Sequence, residues 1–97
     1  MNYLNQFVIV RADRAGVFFG KLKAKDGDNV VLEQVRKLHY WEGAAAVEEI
    51  AMIGTKNPYD CRFTVTVPEM EIAQAIQIIP CTEEAISVIQ NVQEWKA

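Results

Sequence analysis

Alternating apolar and polar residues in the first 41 positions predict β-strands joined by short links. Their β-branched and aromatic content is typical of strands, and the predicted strands are residues 6–11, 17–25 and 29–35, with 38–41 extending or following the third after a kink. Asp13–Gly16 has the composition of a turn. Asp26-Gly27-Asp28 predicts a hairpin, because glycine adopts positive φ without steric cost. Links this short favour an antiparallel meander.

The apolar period changes in the second half of the chain, which predicts two short helices among further strands. One helix covers residues 44–53, and the other begins after Thr82 as N-cap and runs to about Gln93. The predicted strands are 62–67, ended by Pro68, and 75–79, ended by Pro80; residues 69–74 are either a loop or a bulged continuation. The fold class expected is α+β, an antiparallel β-meander sheet of about five to six strands with two short helices, in a single domain 1–97.

The same pattern predicts which side chains form the core. Core positions are expected at Phe7 or its neighbour Val8, and at Phe63, Ile76 and Ile86. Trp95 is expected to pack back onto the domain. A chain of 97 residues buries only about 60–70% of its unfolded surface, so the apolar stripes of the two helices predict a homo-oligomer built on dimers.

Charge is unevenly placed along the chain. The formal net charge is −3, but residues 1–41 carry seven basic against four acidic residues, and residues 42–97 carry three basic against nine acidic. The basic half predicts a face that meets an anion, whereas the net charge argues against extensive contact with nucleic acid. The apolar runs are too short for a membrane span, and the opening residues resemble no secretion leader. Two isolated cysteines fit the cytoplasm.

Few residues here could support catalysis. The chain has one histidine and one serine, and its two cysteines stand 20 positions apart. No phosphate-binding glycine loop and no zinc-ligand spacing are present. His39 is expected as a packed residue, and Cys61 and Cys81 as small buried hydrophobes. The prediction is a protein that is not an enzyme, with no catalytic residue, no metal site and no cofactor.

Aromatic residues next to arginines predict a ligand site, because a ring stacks on a base and a guanidinium pairs with a phosphate. The candidate residues are Arg11, Arg14, Phe18, Phe19, Arg36, Lys37, Tyr40 and Trp41. Alternation should send one of Phe18 and Phe19 to the core and the other to the opposite face. It should also place Leu38 with Tyr40, and His39 with Trp41. The alternative is that these aromatics form the core of the sheet and of a dimer.

Three motifs carry a resemblance to known proteins. They are Arg11-x-x-x-Ala15-Gly16-Val17, Arg36-x-Leu38-x-Tyr40-Trp41-x-Gly43-Ala44, and Gln77-Ile78-Ile79-Pro80 followed by Ala85. Together they resemble a family of small, uncharacterised proteins of tailed phages and prophages. The layout is also similar to the first kind of Thoeris anti-defence phage sponge, a homo-oligomer that binds cyclic ADP-ribose isomers, and in some members cyclic oligonucleotides, without cleaving them.

The resemblance implies a phage-encoded, non-catalytic protein that sequesters a nucleotide immune messenger in the host cytoplasm. Its ligand would be a cyclic ADP-ribose isomer or a cyclic oligonucleotide. The alternative hypothesis is a phage accessory protein that binds nucleic acid or a host protein. A protein-directed inhibitor would use an apolar patch, whereas a nucleotide binder needs cations.

Overall fold

The structure, a computed structural model, describes residues 2–97. These residues form six strands and two short helices, which confirms the predicted fold class. The strands are β1 (Phe7–Ala12), β2 (Gly16–Asp26), β3 (Asn29–Tyr40), β4 (Arg62–Phe63), β5 (Val67–Ile72) and β6 (Ala75–Pro80). The helices are α1 (Val47–Ile53) and α2 (Glu83–Asn91), and a 3-10 turn covers Pro58–Asp60. No helix within residues 2–97 has the length and apolarity needed to cross a membrane.

All strands belong to one open antiparallel sheet in the order β4-β3-β2-β1-β6, with β5 also paired to β3. β4 and β5 therefore follow one another along the same side of β3. In a flat sheet β5 and β6 would lie about four strand spacings apart, roughly 19 Å. Only residues 73 and 74 join them, and the step from 72 to 75 spans at most about 11 Å. The sheet is therefore strongly curled, and the carbonyl of Asp28 at the β2–β3 turn accepts the N–H of Ala75 at 2.9 Å.

Curling gives the sheet two buried faces. Its concave face encloses the inner core, which consists of Val8, Val10, Ala12, Phe18, Leu22, Val30, Leu32, Val35 and Ile72. The helices cover the convex face and form the helix-side core, which consists of Ile9, Phe19, Leu38, Val47, Ile50, Ala51, Cys61, Phe63, Ala85, Ile89 and Val92. Phe18 and Phe19 do point to opposite faces. Both are nevertheless buried, because neither face of the sheet is open at this point.

A β-bulge in β3 decides which of its side chains reach the helices. Lys21 pairs with Glu33 and Phe19 pairs with Arg36, so β3 has one residue more than β2 over this stretch. Gln34 is the extra residue of this bulge, and its φ is 53°. Before the bulge Val30 and Leu32 enter the inner core, and after it Arg36 and Leu38 turn to the helix side.

Arg36 is buried in the second half of β3, and all five of its N–H groups donate to main-chain carbonyls. The donor–acceptor distances are 2.7–3.2 Å, and the acceptors are the oxygens of Phe63, Thr64, Ile89, Val92 and Gln93. The last turn of a helix leaves carbonyls without partners and carries partial negative charge, so the guanidinium caps α2 from another element. Desolvation lowers the pKa of Arg36, and the carboxylate of Glu94 opposes that shift.

The ends of the two helices follow local chemistry. The Thr82 hydroxyl accepts the N–H of Ala85 at 3.1 Å, as an N-cap does. Gly54 ends α1 with a φ of 79°, and a β-carbon there would lie 2.6 Å from Val88 of α2. The two helices therefore approach each other closely at a position that only glycine fills without strain. Helix α1 begins at Val47, later than predicted, and Ala46 before it offers no side-chain cap.

Several sequence predictions need correction. Pro68 does not end a strand: it lies inside β5, which pairs only with β3 and so tolerates a residue without an N–H. Ile76 is 59% exposed, whereas Val8 and Phe63 are fully buried and Ile86 is half-buried against the helix side. Ile76 lies on the outer strand β6, beside a bulge, where no further strand covers it.

The apolar stripes of both helices are used within the chain. Val47, Ile50, Ala85 and Ile89 are buried in the helix-side core. The helix surfaces that motivated the predicted homo-oligomer built on dimers are therefore not exposed. The homo-oligomer stays a prediction. An exposed groove of about 540 Å³ lies elsewhere, between the N-terminal residues and β6, and both apolar and polar residues line it, among them Leu4, Ile76 and Lys25.

Replacing Phe63 tests the assignment of the core. Phe63→Ala removes a fully buried ring and should lower the free energy of unfolding by about 3–5 kcal/mol. Ile76→Ala removes a mostly exposed side chain and should change it by no more than about 0.5–1 kcal/mol. Urea unfolding followed by circular dichroism measures both. Equal losses for the two variants would contradict the burial described here.

Replacing Arg36 tests its role as a cap. Arg36→Lys keeps the charge but offers three donors in place of five, so buried carbonyls lose their partners. The free energy of unfolding should fall by about 3–5 kcal/mol. Arg14→Lys, a matched change at an exposed arginine, should leave it within about 0.5 kcal/mol. Similar denaturation midpoints for the two variants would show that Arg36 does not hold α2.

Candidate functional site

Exposed aromatic rings gather around one arginine where β3, β4 and the C-terminal segment meet. The guanidinium carbon of Arg62 lies 5.7 Å from the ring centroid of Tyr40 and 5.7 Å from that of Trp95. His39 stacks on Trp95, with centroids 4.6 Å apart and planes 16° from parallel. We call these four residues, His39, Tyr40, Arg62 and Trp95, the aromatic–arginine cluster. Tyr40 and Trp95 are each 44% exposed.

Strand pairing places each member of the cluster. Tyr40 pairs with Arg62 across β3 and β4, while Leu38 pairs with the neighbouring Phe63. Between these two pairs β3 advances by two residues and β4 by one. His39 is therefore the extra residue of a second β-bulge. The predicted grouping of Leu38 with Tyr40, and of His39 with Trp41, is therefore wrong, because alternation is broken here. Leu38 and Trp41 instead both contact the helix-side core.

The C-terminal segment is fixed against β4 by its main chain. Phe63 bridges to Glu94 in parallel fashion, and the carbonyl of Phe63 accepts the N–H of Trp95 at 2.8 Å. The side chain of Gln93 donates to the carbonyls of Pro58 and Cys61 at 3.1 and 3.3 Å, which ties the 3-10 turn to the same place. Trp95 therefore packs back onto the fold, as predicted, through contact with His39.

A groove of about 390 Å³ opens beside the cluster. Its lining residues are Tyr40, Tyr59, Asp60, Cys61, Arg62, Gln93, Glu94, Trp95 and Lys96. Tyr59 is 89% exposed. Glu94 is partly engaged, since its carboxylate lies 3.6 Å from Lys96 Nζ and accepts the N–H of Thr66 at 3.3 Å. Within residues 2–97, the exposed side chain of Arg62 has no ion pair and no hydrogen bond.

Most of the residues predicted as a ligand site do not come together. Arg36 has no donor left for a ligand, because three donate to carbonyls at the end of α2 and two to the carbonyls of Phe63 and Thr64. Its predicted place in the ligand site is therefore wrong. Phe18 and Phe19 are buried in separate cores, so neither offers a ring to solvent. Trp41 is half-buried against the helix side.

The remaining basic residues of the predicted ligand site do not share one face of the sheet. Lys37 is on the concave side, with Nζ 5.9 Å from the ring of Phe18. Arg11 is exposed on the convex side. The hydrogen bond from the amide of Gln77 lowers the pKa of Glu48 at the start of α1, and the charge of Arg11 adds a smaller effect in the same direction. Arg14 is exposed in the first turn. Only Tyr40 belongs to both the predicted set and the aromatic–arginine cluster.

Sequence reasoning missed Arg62, Trp95, His39 and Tyr59. Arg62 and Tyr40 are 22 positions apart, and Trp95 lies a further 33 along, so no local spacing links them. One signal was present: Arg62 lies one position before the buried Phe63, and alternation predicts that it faces outward.

The other reactive side chains have structural surroundings. Cys61 is buried, as predicted, and its thiol lies 3.6 Å from the carbonyl of Glu42. Cys81 is half-buried, and desolvation raises the pKa of its thiol to about 12, which makes it a poor nucleophile. His39 is exposed and stacked, not packed inside as predicted. Within residues 2–97 no three His, Cys, Asp or Glu side chains are grouped as metal ligands.

Comparison with known proteins gives a family but no function. No curated protein matches this chain. A family model described as a domain of unknown function, DUF6948, matches residues 5–89. The match includes Tyr40 and Arg62 of the cluster and ends before Trp95. Since it covers most of the sequence, the chain belongs to the DUF6948 family.

Proposed function

We propose that this protein is a non-catalytic binding protein for a nucleotide-type ligand, held at the aromatic–arginine cluster. The single observation that carries the proposal is Arg62, an exposed guanidinium without an acidic partner, placed 5.7 Å from two exposed rings. Rings bind bases by stacking whatever the base, and a free guanidinium binds phosphate through paired hydrogen bonds. Both requirements are met within one groove of about 390 Å³.

The expected chemistry is binding without turnover. The histidine of the cluster stacks on Trp95, and the high pKa of Cys81 keeps that thiol protonated at neutral pH. The motif resemblance extends the proposal: the ligand is a cyclic ADP-ribose isomer or a cyclic oligonucleotide. The protein would hold this ligand intact and withdraw it from a phage-defence system in the host cytoplasm.

A second candidate function has its own observation. Tyr59 is 89% exposed on the 3-10 turn, beside Tyr40, Arg62 and Trp95. Tyrosine, tryptophan and arginine are the residues that dominate protein–protein interfaces. The groove also carries both signs of charge, with Asp60 and Glu94 beside Arg62 and Lys96. A host protein is therefore the alternative ligand of the same cluster.

Trp95→Ala tests the proposed function. Titration calorimetry against cyclic ADP-ribose isomers and cyclic di- and trinucleotides should show binding by the natural protein. Loss of a stacking ring should weaken that binding by about 1–3 kcal/mol. The ligand recovered after the titration should be chemically unchanged, as mass spectrometry can establish.

Arg14→Ala is the matched control, since Arg14 is an exposed arginine of the earlier predicted site and lies outside the cluster. Its affinity should equal that of the natural protein. Weaker binding by Arg14→Ala together with normal binding by Trp95→Ala would move the ligand to the first turn. If no nucleotide binds at millimolar concentration, the proposal fails and the protein-binding alternative takes its place.

A further inference from the structure

Within the cluster, Tyr40 and Trp95 are held in place by hydrogen bonds and stacking, whereas the side chain of Arg62 is not. The Tyr40 hydroxyl donates to the carboxylate of Glu42, which restrains that ring. Trp95 is held by its main-chain bond to Phe63 and by His39 stacked on its ring. The side chain of Arg62, whose guanidinium carbon is 5.7 Å from both ring centroids, makes no hydrogen bond or ion pair within residues 2–97. Its side-chain contacts with the cluster are therefore weak, long cation–π contacts at an exposed place.

The distances leave room for a flat ring between Tyr40 and Trp95. Both ring centroids lie 5.7 Å from one guanidinium carbon, so the rings are no more than twice that distance apart. A flat ring held between two others needs a separation of about 7–8 Å, because carbon atoms in contact lie 3.5–4.0 Å apart. A guanidinium is itself a flat group and resembles an aromatic base in thickness.

We infer that Arg62 occupies, in the free protein, the place between Tyr40 and Trp95 that the base of the ligand takes on binding. The base displaces the guanidinium, which swings out and pairs with the phosphate. Arg62 thereby favours ligands that carry both a base and a phosphate: a base alone must displace the arginine without giving it a partner. This inference rests on the proposed function and adds the order of contacts within the same site.

The test compares two probes that differ only in phosphate, adenosine and adenosine monophosphate, on the natural protein and on Arg62→Ala. Arg62→Ala should weaken binding of the monophosphate by about tenfold or more, since a charge-assisted contact is lost. The same variant should bind adenosine at least as tightly as the natural protein, because the slot is already vacant. Arg62→Lys should keep part of the monophosphate affinity, since it keeps the charge.

Parallel weakening of both probes would overturn the inference, because it would show that Arg62 stacks on the base in the complex. A second measurement needs no ligand. In a Trp41→Phe background, acrylamide should quench Trp95 fluorescence more efficiently when Arg62 is replaced by alanine, because that side chain covers the ring. Unchanged quenching would refute the placement of Arg62 even if nucleotides bind. Increased quenching without any nucleotide binding would instead support the placement and refute the proposed function.

Discussion

The guanidinium of Arg36 ties the end of α2 to the paired strands β3 and β4. It extends from the second half of β3 to the main chain of Phe63 and Thr64 and to the last turn of α2. A buried arginine is tolerated only when its donors are satisfied, and here each has a carbonyl acceptor. The partial negative charge at the end of the helix supplies what a carboxylate would otherwise supply. Without this contact α2 would keep its apolar packing but lose its fixed end.

The position of the aromatic–arginine cluster follows from that contact. Gln93 is an acceptor for Arg36, and the chain continues directly to Trp95, which pairs with β4 through the carbonyl of Phe63. The cap of α2 thus sets where the C-terminal segment leaves the helix and which ring lies next to Arg62. The two arginines differ: every side-chain donor of Arg36 is used inside the protein, whereas the exposed side chain of Arg62 makes no hydrogen bond within residues 2–97.

The sequence predicts the features of this fold that depend on neighbouring residues, and it does not predict those that depend on contacts between distant residues. Turns, caps and strands follow from local composition, and Thr82 and Gly54 lie at the helix ends where their chemistry places them. The two bulges of β3 do not follow, because Gln34 carries no composition signal for a positive φ. Each bulge reverses alternation for the residues after it, so Arg36 faces the helix side and Leu38 is separated from Tyr40. The residues of the proposed site were not predicted, except Tyr40, since its members meet only through tertiary contacts.

The two buried faces of the curled sheet also change how strand register is encoded. In a sheet with one wet face, a slip by one residue exposes apolar side chains and is strongly penalised. In β1 and β2, a slip would exchange Val8 with Ile9, or Phe18 with Phe19, between two apolar interiors of similar character. Hydrophobicity therefore discriminates poorly between the two pairings. Charged residues discriminate instead, because a slip would direct Arg11 of β1, or Arg36 of β3, into an interior made of aliphatic and aromatic side chains. Charged residues thus fix the register of strands whose apolar alternation alone is ambiguous.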